Sequence, residues 1–147
     1  VRIYEVKENK EDYLDLLLIG DEDEHMVEKY LSRGYMFLLD DFGIKGLCLV
    51  TEEGKGIYEI KNLAVYSKYR KKGYGKSLVK FIVEHFKDYE EIYVGTGYGT
   101  SNVEYYKKLG FQTSHILKNF FLDNYSKPIY EDGIQLTDMQ YLKMEKG

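Results

Sequence analysis

The feature that most constrains the fold is a change of hydrophobic period after Val65. Before it, "GIYEIKNLAV" alternates as a strand does, and it is the third of three consecutive β segments after "YMFLLD" and "GIKGLCLVTEE". These three read as antiparallel. Beyond it, Leu78, Val79, Ile82, Val83 and Phe86 recur at three- and four-residue steps, which predicts a helix from about Gly73 to Phe86. The junction, "YRKKGYGKSL" from Tyr69 to Leu78, carries Arg70, Lys71, Lys72 and Lys76 with Gly73 and Gly75. Amides at a helix start lack carbonyl partners and carry partial positive charge, so they suit an anion. Glycines let a phosphate come close to the backbone.

Two familiar phosphate loops do not fit. A triphosphate loop needs Gly-x-x-x-x-Gly-Lys-Ser/Thr, and the required first glycine is Arg70. The dinucleotide pattern Gly-x-Gly-x-x-Gly fails at Leu78 after Gly73 and Gly75. The later "GTGYGTS" fails it too, with Thr100 and Asn102 at the alternative third positions, and reads as a flexible strand-to-helix loop. Spacing alone leaves a phosphate cradle and a solvated basic helix cap both open.

The rest of the chain supplies a mixed sheet with helices on its faces. Arg2 to Val6 reads as a strand, and Asn9 as the cap of a helix in "KEDYLDLLLIG" that Gly20 ends. "DEDEHMVEKYLSRG" reads as an acidic cap, a short helix and a stop at Gly34. "EIYVGTG" is a strand, "TSNVEYYKKLG" a capped helix, "FQTSHILKNFFL" one long strand, "DNYSKPIYEDG" a polar loop and "QLTDMQYLKME" the last strand. The order is β-α-α-β-β-β-α-β-α-β-β, α/β in class. With 147 residues and no dividing linker, one domain spanning 1–147 is expected.

Composition removes several functions. A net charge of −4 argues against general nucleic-acid binding. One cysteine, Cys48 among Leu47, Leu49 and Val50, allows neither an internal disulfide nor a cysteine-cluster metal site, and reads as a buried apolar residue. His25, His85 and His115 show no ligand spacing, and His85 has polar sequence neighbours, so no metal is expected. No apolar run is long enough to span a membrane and no signal-peptide pattern opens the sequence, so a cytoplasmic protein without a membrane partner is expected.

Two motifs together resemble a known family. "LAVYSKYRKKGYGKSL" resembles the acetyl-coenzyme A loop of the GCN5-related N-acetyltransferase (GNAT) superfamily, Arg/Gln-x-x-Gly-x-Gly/Ala, read as Arg70, Gly73 and Gly75. "NVEYYKKLGF" resembles its second motif, a helix ending Tyr-x-x-x-Gly-Phe, read as Tyr106, Gly110 and Phe111. The element order resembles that fold over nearly the whole chain, and the tail resembles that of small bacterial members.

The resemblance implies a mixed, mostly antiparallel central sheet splayed where acetyl-CoA binds. Leu63, Ala64 and Val65 would pair with the pantetheine arm. The amides of Lys71, Lys72, Gly73, Tyr74, Gly75 and Lys76 would hold the pyrophosphate, with Arg70 at the mouth and Ser77 in the same helix turn. Tyr106 would lie near the cofactor sulfur. The usual proline two residues after the strand's valine is Ser67, and the usual glycine after Arg70 is Lys71. The asparagine common seven residues before the tyrosine is Gly99, and Asn102 is the substitute candidate for that contact.

Acetyl transfer from a thioester to a primary amine needs a neutral amine, an oxyanion donor and a proton for the thiolate. The resemblance implies the N–H of Val65 as oxyanion donor; Tyr106, whose hydroxyl is a donor at neutral pH, is the candidate acid for the thiolate, with a plain core tyrosine as the alternative. Glu59, six residues before Val65, is the candidate base on the expectation that it shares a sheet face with Leu63 and Val65; a salt-bridged strand glutamate is the alternative. Acidic residues Asp21 to Glu24 read either as recognition of a cationic amine or as a solvated helix cap. The competing functions are an acyl-CoA-binding sensor without catalysis and a nucleotide-triphosphate enzyme using Gly-Lys-Ser. Many members of the family form homodimers; this sequence leaves the assembly open.

Overall fold

The computed structural model describes residues 1–147, in two compact units, Val1–Tyr89 and Glu90–Gly147. The first contains β1 (Arg2–Val6), α1 (Leu14–Gly20), α2 (Glu24–Leu31), β2 (Tyr35–Asp40), β3 (Ile44–Gly54), β4 (Ile57–Val65) and α3 (Tyr74–His85). Its strands lie in the order β1-β2-β3-β4, each antiparallel to the next. The three consecutive β segments of the sequence are therefore two successive antiparallel pairs.

Alternation along the strands assigns the two faces. Met36, Leu38, Leu47 and Leu49 join Leu16, Leu17, Val27 and Tyr30 in a buried core beneath α1 and α2. Each such side chain contributes about 1.5–3 kcal/mol when fully buried. Phe37, between Met36 and Leu38, turns to the opposite face. There its ring meets Phe81, His85 and Phe86 of and beside α3, at centroid distances of 5.2, 5.0 and 6.0 Å. His85, polar in its sequence surroundings, thus belongs to an aromatic group.

A β-bulge in β4 reverses one expectation. Leu49 pairs with Asn62 but Val50 pairs with Ile60, so Lys61 is an extra residue on β4. Asn62 points toward α1, donating through Nδ2 to Leu17 O at 2.8 Å. Val65 points toward α3: a Cβ placed on its partner Gly46 would meet Val65 Cγ2 at 3.1 Å and Leu78 Cδ1 at 3.4 Å. Beyond the bulge the parity inverts. Tyr58 now packs on Phe86, with centroids 4.5 Å apart, and Glu59 opposes Thr51 on the α1/α2 face. Glu59 therefore does not share a face with Leu63 and Val65; counting in twos fails across an inserted residue.

Local starts and stops also differ. Asn9 is left-handed (φ 55°) and makes no side-chain cap; a 3-10 turn, Lys10–Tyr13, intervenes before α1. Asp23 does cap α2, accepting from the amides of His25 at 2.8 Å and Met26 at 3.2 Å. Gly20 is the last residue of α1 rather than a left-handed stop, and α2 ends at Leu31, before Gly34.

The second unit contains β5 (Glu91–Gly97), α4 (Ser101–Lys108), β6 (Gln112–Leu117), α5 (Phe120–Asn124), β7 (Tyr130–Glu131), β8 (Ile134–Gln135) and β9 (Met139–Glu145). β9 lies between β5 and β6, antiparallel to both, and β7 pairs with β8. The single strand expected over "FQTSHILKNFFL" stops at Leu117. Asn119 turns left-handed (φ 59°), its amide donates to Asp138 at 2.8 Å, and the amide of Phe121 donates to Thr137 O at 3.0 Å. That turn buries Phe121 in a short helix. The expected polar loop holds β7 and the hairpin turn, and β8 takes Ile134 and Gln135, so the last strand starts at Met139 rather than Gln135. No helix is long and apolar enough to cross a membrane.

Candidate active site

In the first unit, β4 ends at Val65 and the chain enters a loop held at both ends by phenol–carboxylate bonds. Tyr66 Oη donates to Asp15 at 2.8 Å, and Tyr74 Oη donates to Asp41 at 2.7 Å. Both phenols are pushed above their ordinary range, Tyr66 by burial and then Asp15, Tyr74 mainly by its bond to Asp41. With its hydroxyl so engaged, Tyr74 offers the loop interior its backbone amide.

Between those anchors the backbone presents donors. The amide of Arg70 donates to Ser67 O at 3.3 Å, and that of Ser77 to Gly73 O at 3.0 Å; the amides of residues 71–76 between them meet no backbone carbonyl. Gly73 is the N-cap of α3, with φ 85° and no side-chain cap bond. A Cβ there would have nothing within 4 Å, so open space faces this turn. Lys71 is also left-handed, at φ 64°, which is why glycine suits that position. Arg70, Lys71, Lys72 and Lys76 are exposed, and none takes part in an ion pair. Donor amides, open space at Gly73 and cations outside any ion pair fit a pyrophosphate.

Glu59 is ion-paired with Lys61, Oε2 to Nζ at 3.1 Å, on the α1/α2 face. Two acids of the junction have structural partners: Asp23 caps α2, and Asp21 accepts from Tyr30 Oη at 3.2 Å. Burial, then Asp21, drives the Tyr30 phenol far above its usual value. Tyr30 Oη also accepts from Asn62 Nδ2 at 3.0 Å, a buried partner that sequence patterning gave no reason to single out. Cys48 is fully buried, and burial holds its thiol well above the usual range. No group of three or more His, Cys, Asp or Glu side chains could hold a metal.

In the second unit, Tyr106 is half-buried on α4. Phe111 N–H donates to Tyr106 O at 3.1 Å and Gly110 N–H to Lys107 O at 3.0 Å, with Gly110 at φ 108°. These are the two bonds of a Schellman helix end, and its usual apolar contact is present as Tyr106 against Phe111, centroids 5.8 Å apart. The Tyr-x-x-x-Gly-Phe spacing is thus accounted for by helix termination, and any chemistry rests on the hydroxyl alone. Asn102 Nδ2 donates to Glu131 of the hairpin at 3.0 Å. Thr100 is the N-cap but bonds Gly97 O; the α4 start is met instead by Asp132, which accepts from Ser101 N and Oγ, both at 3.0 Å.

A strand running into an amide-rich basic turn, in this order of elements, is the arrangement that the resemblance to the GNAT superfamily implies for acetyl-CoA. The pattern of the acetyltransferase (GNAT) domain matches residues 32–113, and the chain belongs to that family. It is 33% identical to an uncharacterised N-acetyltransferase, YvbK of Bacillus subtilis (strain 168), over 99% of this chain and 96% of that protein. Among solved structures it resembles a GNAT family acetyltransferase from Elizabethkingia anophelis with acetyl-CoA bound, at 35% identity and a TM-score of 0.92, covering 99% of this chain and 97% of the other. It also resembles the Bacillus subtilis acetyltransferase in complex with CoA, at 33% identity and a TM-score of 0.89, covering 99% and 98%. The GNAT fold expected from the element order is the fold of this chain.

Proposed function

We propose that the protein transfers the acetyl group of acetyl-CoA directly to a primary amine of a small molecule or peptide, in a ternary complex. The observation that carries the donor is the run of partnerless amides from Lys71 to Lys76, at a glycine turn flanked by unpaired cations. Two relatives of 33–35% identity are described as bound to CoA or acetyl-CoA. Direct transfer is supported by the only cysteine being buried with its thiolate disfavoured, which argues against a thiol nucleophile for an acyl-enzyme.

In this reading Leu63, Ala64 and Val65 hold the pantetheine arm and the Val65 amide stabilises the oxyanion. Arg70 and the turn from Lys71 to Ser77 hold the pyrophosphate. Tyr106 protonates the departing thiolate, and Asn102 makes the polar contact that Gly99 lacks. Glu59 takes the amine proton from the α1/α2 side of β4, which requires release from Lys61. These roles follow the family pattern, with the amide geometry in support of the loop residues.

The test is titration with acetyl-CoA, followed by thiol detection across polyamines, aminoglycosides, amino acids and lysine peptides. Thiol release that depends on an amine supports the enzyme. Tight acetyl-CoA binding with no acceptor-dependent release across a broad panel would favour a sensor instead.

A further inference from the structure

Tyr69, at the end of the 3-10 turn Ser67–Tyr69, gathers three ammonium groups. Lys45 Nζ lies 4.4 Å from its ring centroid, Lys68 Nζ 5.1 Å and Lys72 Nζ 5.8 Å. Lys45 reaches in from β3 and is steadied by Phe42 O at 3.2 Å. None of the three is in an ion pair, unlike Arg33, Lys61, Lys107 and Lys143. The carboxylates of the adjoining β2–β3 turn are committed elsewhere, Asp40 to the Gly43 amide at 2.9 Å and Asp41 to Tyr74. The cations also hold the Tyr69 phenol below its ordinary value, Lys68 through a hydrogen bond and then Lys45 by charge.

Three like charges around one ring repel one another, and cation–π attraction returns only about 0.5–1 kcal/mol for each exposed cation. A multiply charged anion among them turns the repulsion into attraction. Lys45 and Lys68 stand on β3 and on the 3-10 turn before Arg70, whereas the amides proposed for the pyrophosphate begin at Lys71, so with the Lys72 side chain they offer a second anionic contact. Besides its pyrophosphate, coenzyme A carries a 3′-phosphomonoester, largely a dianion at neutral pH because such groups have a second pKa near 6. We propose that Lys45, Lys68 and Lys72, arrayed on Tyr69, form a phosphomonoester subsite that takes the 3′-phosphate of coenzyme A and selects it over 3′-dephospho-coenzyme A. This rests on the acetyl-CoA reading above.

The experiment is calorimetric titration of coenzyme A and 3′-dephospho-coenzyme A into the wild type, the K45A/K68A double variant and the K45R/K68R double variant. The wild type is expected to bind coenzyme A about tenfold more tightly than the dephospho form, as suits partly exposed charge pairs with a dianion. In K45A/K68A that ratio falls toward about one while dephospho affinity stays within about twofold, and K45R/K68R keeps the preference. Equal wild-type affinities, or parallel loss of both ligands in K45A/K68A, overturn the subsite and leave the acetyl-CoA reading standing. A wild type that binds neither ligand overturns that reading as well.

Discussion

Gly20 and Asn62 meet so closely that a Cβ on Gly20 would overlap the Asn62 side-chain oxygen. Asn62 is buried, its Nδ2 bonded to Leu17 O and Tyr30 Oη, while its Oδ1 is buried without a hydrogen-bond partner and lies against the glycine. Gly20→Ala is therefore expected to destabilise the fold by about 1–3 kcal/mol, the usual range for overpacking. In a double-mutant cycle by urea unfolding, the added Asn62→Ala change removes part of that loss. Strict additivity would show that the contact is not the cause.

Tyr58 gives the fold an alkaline limit. Its hydroxyl donates to both Asp88 oxygens, at 2.9 and 3.1 Å, and burial followed by that bond pushes its pKa up to about 12. A raised folded-state value means that the stabilisation is complete below the unfolded phenol's pKa of about 10 and is lost as pH rises through about 12. Urea midpoints are expected to fall over that window. Tyr58→Phe is less stable than wild type at neutral pH, and the gap narrows as the window is crossed; a constant gap would contradict the assignment.

The turn proposed to hold the pyrophosphate separates conformational cost from contact cost. Lys71 is left-handed, which costs a non-glycine residue about 1–2 kcal/mol, while glycine's extra chain entropy returns about 0.5–1 kcal/mol of that. Lys71→Gly is expected to raise the unfolding midpoint slightly. Gly73→Ala, with open space around its Cβ, should cost about 1 kcal/mol of stability but weaken acetyl-CoA binding on the order of tenfold, by crowding the phosphate. Equal acetyl-CoA affinity in wild type and Gly73→Ala would remove this turn from the site.

Tyr106→Phe keeps the ring that packs on Phe111 and deletes only the hydroxyl. If that hydroxyl is the acid, kcat is expected to fall about 100-fold, with the KM for acetyl-CoA within about twofold. A melting midpoint near that of wild type would show that the Schellman end of α4 survives. Unchanged kcat assigns Tyr106 to helix termination alone.

Asp132 supplies from the hairpin the cap that α4 does not get from Thr100. Asp132→Ala is expected to cost about 1 kcal/mol, and to speed hydrogen exchange of the first α4 amides relative to those of β5. Unchanged exchange at Ser101 and Asn102 would refute a capping role.

Much of the fold was legible because its signals are local. The alternation in "YMFLLD" and "GIYEIKNLAV", the helical period from Leu78 to Phe86, and the Asp23 cap each depend on neighbours a few residues away. What escaped involves partners distant in sequence. "FQTSHILKNFFL" reads as one strand because nothing within it announces that Asp138 and Thr137 will capture the amides of Asn119 and Phe121. The 3-10 turn before α1 carries no signal of its own, because Asn9 before "KEDYLDLLLIG" reads as a helix cap. Alternation along β4 puts Glu59 on the face of Val65, but the bulge turns it away; a bulge is a property of pairing with β3, invisible in β4 alone.

The sequence by itself determined the family and the order of elements as far as β6, and it pointed to the loop proposed for the donor, because glycine, charge and hydrophobic period act along the chain. Only the tertiary structure decided which side of the bulge each β4 residue faces, that Tyr106 and Phe111 close a helix, that Gly20 exists to make room for Asn62, and that Lys45 joins Lys68 and Lys72 around one tyrosine. Each of these is set by a contact between strands or helices whose register the chain acquires on packing.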